Sequence, residues 1–360
     1  LVMADVFIES RCPAYLAEVI VNRAPSTAWA LLFICILTGV ISMFVENVAT
    51  VLIIAPIAIE MARRLKISPV AVIIGIAVSS NLQGTATLIG DPPSMLLGGY
   101  AKMTFMDFFF YHGKPSIFFA VELGALASFV VLFLVFRRHS KKMTVMAVEK
   151  VDSWVPSVAL VLLIVALACS SFWDKDFSFM AGALCMLFAA AMAIWAEVTR
   201  RGAFLNGIKR LDWDTTFFLV GIFVIVDSLA GTGWIDRTST LLSGMIGGNI
   251  FLGYATLVLL SVVVSAFVDN VPFLAAMLPV AISLSEKLHI SPTLFLFGLL
   301  IGASLGGNVT PIGASANIVG MGLLRKEGHT VTFREWAAIS VPFTIAAVVP
   351  AALFVWFVWS

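Results

Sequence analysis

The chain is a succession of apolar runs cut by short polar breaks. The runs cover Trp29–Phe44, Val48–Ala62, Pro69 to about Tyr100, Ile117–Phe136, 154–172, 178–198, 213–230, 250–267, 271–285, 292–322 and 339–359. Trp29–Phe44 and Val48–Ala62 hold 16 and 15 residues. Helices of that size reach roughly 22–24 Å, short of a roughly 30 Å hydrocarbon core. Both meet at Glu46-Asn47, which predicts a re-entrant helical hairpin with a polar tip. The run from Pro69 is interrupted by Asn81-Leu-Gln-Gly-Thr-Ala-Thr and by Gly90-Asp-Pro-Pro. Proline removes a helix donor and glycine loosens the backbone, so this helix should break midway. At membrane depth a break is tolerated only where protein or water satisfies the freed peptide groups. Residues 1–24 mix apolar positions with Asp5, Glu9, Arg11, Glu18 and Arg23, the pattern of an amphipathic interfacial helix. Residues 104–112, 234–247 and 333–338 read as interfacial too.

The pattern repeats. VENVAT, KISP and NLQGTATLIGDPP in residues 45–93 correspond to VDNVPF, HISP and SLGGNVTPIGASA in residues 268–316. Glu46 aligns with Asp269, Pro56 with Pro279, Ser68 with Ser291, Gly84 with Gly307, Thr87 with Thr310 and Gly90 with Gly313, each pair 223 apart. Register held over about fifty residues is the signature of internal duplication, with the working site between the copies. VMAD at 2–5 resembles VIVD at 224–227, which ends a long apolar run, so an opening helix of the first copy is expected upstream of Leu1.

Composition agrees: 61% of residues are hydrophobic and 12% charged, a balance foreign to a soluble chain of this length. The net charge of +1 and basic residues confined to short loops leave no basic face, so nucleic-acid binding is set aside. Cys12, Cys35, Cys169 and Cys185 form neither a CxxC pair nor a disulfide framework and read as small buried hydrophobes. Trp154, Trp195, Trp213, Trp234, Trp336, Trp356 and Trp359 fall mostly at segment ends, as an aromatic belt would.

Placing Arg63, Arg64 and Lys66 in the cytoplasm places the basic clusters at 137–142, 200–210 and 325–326 there as well. Five crossings then separate the hairpins, an odd number, so the second copy is upside down. The expected organisation is an interfacial helix over 1–24, a first repeat over 25–136, a basic loop with scaffold helices over 137–231 and a second repeat over 232–360. The expected fold is an all-α polytopic membrane protein with two re-entrant helical hairpins and two broken transmembrane helices, the build of an inverted-repeat secondary transporter.

Charge inside a membrane is expensive, about 2.5–3.5 kcal/mol for an aspartate at a helix centre even on insertion scales. Glu46, Asp91 and Asp269 all lie in such stretches, and no Lys or Arg occurs within 45–62, 79–101 or 268–286. Such carboxylates are expected to carry a proton or hold a cation, which suits a coupling ion, Na+ or H+, with no other cofactor. Asn47, Asn270, Asn308, Thr85, Thr87 and Thr310 supply neutral oxygens and donors. Broken-helix carbonyls suit Na+ and half-helix N-termini suit an anion. The candidate ion and substrate set is completed by Thr50, Asn81, Gly84, Gly90, Ser94, Gly307, Gly313, Ser315 and Asn317, with Na+ expected near Glu46, Asn47, Asp269 and Asn270. Glu122, within a crossing, reads as a structural partner in the bundle. Asp5 and Asp227 read as capping or interface residues, and His112 and His289 as solvated. HExxH and GxGD are missing from the sequence, and the GxSxG match at residues 302–306 lies inside a long apolar run rather than at a strand-to-helix elbow, so an intramembrane enzyme is disfavoured.

VENVATVLIIAP with NLQGTATLIGDPP, and SAFVDNVPF with LGGNVTPIGASANIV, resemble the ion transporter superfamily. The likeness is to its branch of arsenite permeases (ArsB), NhaD-type antiporters and the melanosomal P protein, more distantly related to divalent-anion:sodium symporters. It implies an elevator mechanism, commonly in a homodimer, with Asn47, Thr87, Asn270 and Thr310 around substrate and coupling ions. It also implies a multi-pass protein of a bacterial or archaeal plasma membrane that moves a small inorganic or organic ion. The chain departs from the branch's pattern at Glu46, where Asp is commoner, at Ser94, where Asn usually follows GDPP, and at Gln83, which replaces a glycine.

Overall fold

The computed structural model describes residues 2–138, 150–174, 179–199 and 231–360, with isolated positions between 217 and 228. The expected crossing over 213–230, the basic cluster at 200–210, Trp213 and Asp227 lie outside the described residues, as does the 139–142 part of the first basic loop. Fifteen α-helices occur among the described residues. Three are long and apolar enough to cross a membrane, Ile117–Phe136, Met180–Thr199 and Phe333–Trp359.

The first copy begins with α1 (Val2–Glu9) and α2 (Cys12–Arg23). A hairpin follows, α3 (Thr27–Ser42) and α4 (Asn47–Leu65), then the halves of a broken helix, α5 (Val70–Gly84) and α6 (Pro92–Ala101), and α7 (Ile117–Phe136). Helices α8 (Val155–Ser170) and α9 (Met180–Thr199) connect the copies. The second copy comprises α10 (Trp234–Ile246), the hairpin α11 (Ile250–Ser265) and α12 (Asn270–Lys287), the broken pair α13 (Thr293–Gly306) and α14 (Ser315–Lys326), and α15 (Phe333–Trp359). The 223-residue offset carries both ends of α3, Thr27 and Ser42, onto both ends of α11, Ile250 and Ser265.

The KISP and HISP motifs have a local cause. Lys66 and His289, equivalent residues, both take the left-handed conformation, with φ of 54° and 55°. The next amides, of Ile67 and Ile290, reach back to the carbonyls of Ala62 and Ser285, each at 3.0 Å. This is a Schellman-type helix end, and Pro69 and Pro292 then stand at the N-cap of the following helix.

The copies interlock reciprocally. α4 packs on α14, the second half of the other copy's broken helix, and α12 packs on α6, the contact pattern of a two-fold arrangement. Arg63 at the base of the first hairpin pairs with Glu327 at 2.6 Å. Residues 63–66 and the basic pair Arg325-Lys326 therefore share one end of the molecule. There Arg64 donates to Glu60 at 2.8 Å and holds that carboxyl below its ordinary range.

Three expected elements differ. Residues 1–24 form two helices, because Arg11 turns left-handed at φ 59° and Pro13 restarts the chain. The one face of α1 is buried by Met3, Ala4, Val6 and Phe7, packed on α8 and α9. The segment 104–112 is a 3-10 turn followed by a two-residue ribbon pairing Phe110 with Pro115 and Tyr111 with Lys114. Residues 333–338 are not separate from the last crossing. Thr332 and Glu335 form a complete capping box that starts one helix running to Trp359. His112 and His289 are exposed, as expected.

Close backbone approach sets the packing of α7 on α15: a Cβ at Gly124 would stand 2.5 Å from the Ala347 carbonyl oxygen. Gly124→Ala is therefore expected to destabilise by about 1–3 kcal/mol, lowering the thermal unfolding midpoint in detergent. Gly99→Ala, where a Cβ meets nothing within 4 Å, should leave it unchanged.

Candidate functional site

Each break is closed against its own copy's hairpin by the same device. The Thr87 hydroxyl donates to the Met43 carbonyl, and the Thr310 hydroxyl to the Ala266 carbonyl. A Cβ at Gly90 would stand 2.3 Å from Gly84 O and 2.9 Å from Met43 O, and one at Gly313 2.6 Å from Gly307 O and 2.9 Å from Ala266 O. Only glycine fits where the loop backbone touches the end of the hairpin leg. Thr87, Gly90, Thr310 and Gly313 are thus building residues of the break, as are Gly84, pressed on the Asn47 side chain, and Gly307.

With the breaks so placed, four helices start at one cavity of about 330 Å³. Its wall holds Glu46 and Asn47 (α4), Asp91 (α6), Asp269 and Asn270 (α12) and Ser315 (α14), together with Asn81 from α5. Glu46, Asp91 and Asp269 occupy the N-cap positions of three of these helices, and Ala314 that of the fourth. Helix N-termini carry partial positive charge and exposed N–H groups. Asp269 accepts from Val271 N at 3.0 Å and from Ser315 Oγ at 3.5 Å. Asp91, 1% exposed, accepts from Ser94 N at 2.9 Å and Thr85 Oγ1 at 3.5 Å. Among the described residues neither aspartate makes an ion pair with Lys, Arg or His. The acidic side chains line the wall without converging: among the described residues no three His, Cys, Asp or Glu side chains are placed to hold one metal ion. A second cavity, about 450 Å³ and mostly apolar, shares Glu46 and Asp91 with the first and is bounded beyond by α1, α8 and α9.

Asn308 and Asn317 stand behind the wall, tied to the wall residue Asn81 in a buried amide cluster. Asn81 Nδ2 donates to Asn308 Oδ1 at 2.8 Å and to Asn317 Oδ1 at 2.9 Å. Asn317 Nδ2 donates to Gly307 O and Thr310 O, both at 2.9 Å, and Asn47 Nδ2 approaches Asn81 Oδ1 at 3.4 Å. Asn81 is thereby the tie between the two broken helices. Ser94, equivalent to Asn317, donates to Thr85 O at 3.3 Å. Thr50 Oγ1 donates to Glu46 O at 3.0 Å within the hairpin tip.

The sequence reading passed over Ser42 and Ser80 and placed Trp336 elsewhere. Ser42 Oγ donates to Asn47 Oδ1 at 2.6 Å and lies 2.8 Å from Ser80 Oγ, orienting the tip asparagine. Its repeat partner, Ser265, was the signal that could have flagged Ser42. Trp336, expected in an aromatic belt, is instead fully buried and donates from Nε1 to Asn308 O at 3.0 Å. It fixes the second break because α15 begins early enough to bring it there.

Asn81→Ala would leave the Asn308 and Asn317 carbonyl oxygens unpaired, at roughly 1–3 kcal/mol for each buried group. The expected result is a lower thermal unfolding midpoint, larger than the shift for Thr50→Ala, whose hydroxyl serves only its own helix.

The comparisons follow the same outline. The CitMHS family, described as citrate transporter, matches residues 1–283 and 188–360. The chain is 27% identical over 347 residues to an uncharacterized transporter of Mycobacterium tuberculosis, covering 95% of this chain and 80% of that one. It is 25% identical over 421 residues to the P protein of Mus musculus, covering 95% of this chain and 50% of the P protein. In fold it is similar to the YdaH transporter of Alcanivorax borkumensis, with a TM-score of 0.62 at 16% identity over 98% of this chain and 83% of that one. The duplicated hairpins, the paired breaks and these matches over the whole length lead to one statement: the chain is an integral membrane protein of the citrate transporter (CitMHS) family of secondary transporters.

Proposed function

We propose that this protein moves a small anion or oxyanion across the membrane, coupled to Na+ or H+, by elevator-type alternating access. The observation that carries the reading is the meeting of four helix N-termini at one cavity, three of them with a carboxylate residue at the N-cap position. The α14 N-terminus, with Ala314 at its cap and Ser315 and Ala316 behind it, is the end suited to an anion. The carboxylate-capped ends suit cations, with Asn47, Asn270 and backbone oxygens completing their shells. Because the cavity wall carries carboxylates and no Lys or Arg, an anion enters it favourably only beside a bound proton or cation, which is coupling in its simplest form. The family's name makes citrate the first anion to assay.

In this reading the two hairpins are re-entrant, the copies are inverted in the membrane, and residues 63–66 and 325–326 face the cytoplasm. The hairpins and broken helices slide as a body against α8 and α9. The apolar cavity between that body and these helices is consistent with such a boundary. The resemblance to elevator transporters supports a homodimer in a bacterial or archaeal plasma membrane.

The carboxylates at the cavity also favour a second reading, a Na+/H+ antiporter of the NhaD type in which Glu46, Asp91 and Asp269 bind the transported cation itself. Proteoliposomes separate the two. Citrate accumulation driven by a Na+ or H+ gradient supports the anion transporter, whereas a Na+ gradient that moves protons with no anion present supports the antiporter. A contact to a charged group is worth about 1.5–3 kcal/mol. Glu46→Gln and Asp269→Asn are therefore each expected to reduce ion-driven flux by roughly tenfold or more; undiminished flux in both variants would remove these carboxylates from the coupling.

A further inference from the structure

One polar pair lies outside the cavity and has no counterpart in the second copy. Gln83, on the last turn of α5, donates from Nε2 to Glu122 Oε2 on α7 at 3.3 Å. Two buried atoms remain without a partner, Gln83 Oε1 and Glu122 Oε1, one on each residue. At the equivalent positions the second copy has Gly306 and Ile345. There Gly306 is close-packed against the Val262 backbone, a Cβ standing 2.6 Å from Val262 Cα. In the first copy the space is made by Gly39, equivalent to Val262, where a Cβ would stand 2.7 Å from Gln83 Cγ. The fold closes without polar groups at this level, so the pair is an addition of the first copy.

Burying two acceptor oxygens without a donor for either is costly. One proton removes both orphans. An amide and a carboxylic acid form a closed ring of two hydrogen bonds, N–H to one carboxyl oxygen and O–H to the amide oxygen. We propose that Gln83 and Glu122 form a proton-binding site, in which a proton on Glu122 Oε1 is donated to Gln83 Oε1 while Gln83 Nε2 donates to Glu122 Oε2. Turning the amide over changes nothing essential, since an oxygen then faces the other carboxyl oxygen and again requires the proton.

Two carboxylates stand nearest the pair, Asp91, which accepts from Thr85 two residues beyond Gln83, and Glu46, beside Asn47 at the head of α4, while Glu60, Arg63 and Arg64 lie at the far end of α4. α5 carries no titratable residue, and α3 carries only Cys35, whose sulfur lies against Gly75, eight residues and roughly 12 Å along α5 from Gln83. On α15 the charged residues are Arg334 and Glu335, more than two turns from Ala347, which faces Gly124. The site is linked to the cavity by its neighbour. Gly84, next to Gln83, is pressed on Asn47, a Cβ there falling 2.2 Å from Asn47 Oδ1. A proton at the pair therefore ties α7 to the turn that holds Asn47 in the cavity wall.

Infrared spectra of the purified full chain in lipid nanodiscs test this without any measurement of flux, so its outcome is independent of the transport reading. Glu122→Gln replaces the acid by an amide that can keep a two-bond ring. The expected result is loss of one protonated-carboxyl C=O stretching band, with the thermal unfolding midpoint retained. Gln83→Leu is expected to keep that band and move it to higher wavenumber, because the Gln83 Nε2 donor to the carboxyl C=O is gone together with the acceptor of its O–H. A carboxyl region unchanged by Glu122→Gln would overturn the proton site. A band that stays in place in Gln83→Leu would overturn the pairing.

Discussion

A helix interrupted in a buried interior strands peptide groups that must find partners within the protein, and meeting that cost twice determines the rest of this fold. Each break is held by its own hairpin through one threonine, one glycine and one carbonyl: Thr87, Gly90 and Met43 in the first copy, and Thr310, Gly313 and Ala266 in the second. Because hairpin and break close on each other, the N-termini of α4 and α6 are brought side by side, as are those of α12 and α14. Reciprocal packing of α4 on α14 and α12 on α6 joins the two sets into one cavity. The site is a consequence of satisfying the backbone.

Symmetry supplies the framework and departures from it supply the chemistry. Asp91 stands where the second copy has Ala314, which leaves one helix N-terminus without an acidic cap. Asn317 stands where the first copy has Ser94, and the longer amide spans the second break while Ser94 reaches a single carbonyl. Asn81 replaces the equivalent of Ser304 and crosses between the copies. Two identical halves would present two identical sites. These substitutions make one cavity with different walls.

Much of this was legible in the sequence because duplication prints every element twice. The offset linking Glu46 to Asp269 placed the hairpin tips, the breaks and the polar residues around them. What escaped reading depended on single local events. The left-handed turn at Arg11 splits one expected helix into two, and the capping box at Thr332 fuses two expected segments into one. Neither alters hydrophobic periodicity. The roles of Thr87, Gly90 and Trp336 were not visible either, since a threonine that props a break and one that faces an ion look alike in sequence. Ser42 and the Gln83–Glu122 pair are contacts between distant segments with no local pattern to announce them.

The account stands on the two copies running in opposite directions through the membrane while their tips share one cavity. Ser68 and Ser291, equivalent and both exposed, follow the bases of the two hairpins. Single cysteines at these positions, in a chain freed of its four native cysteines, can be labelled with a membrane-impermeant maleimide in sealed vesicles of known orientation. The account predicts that the two positions react from opposite sides. Labelling of both from the same side would contradict it.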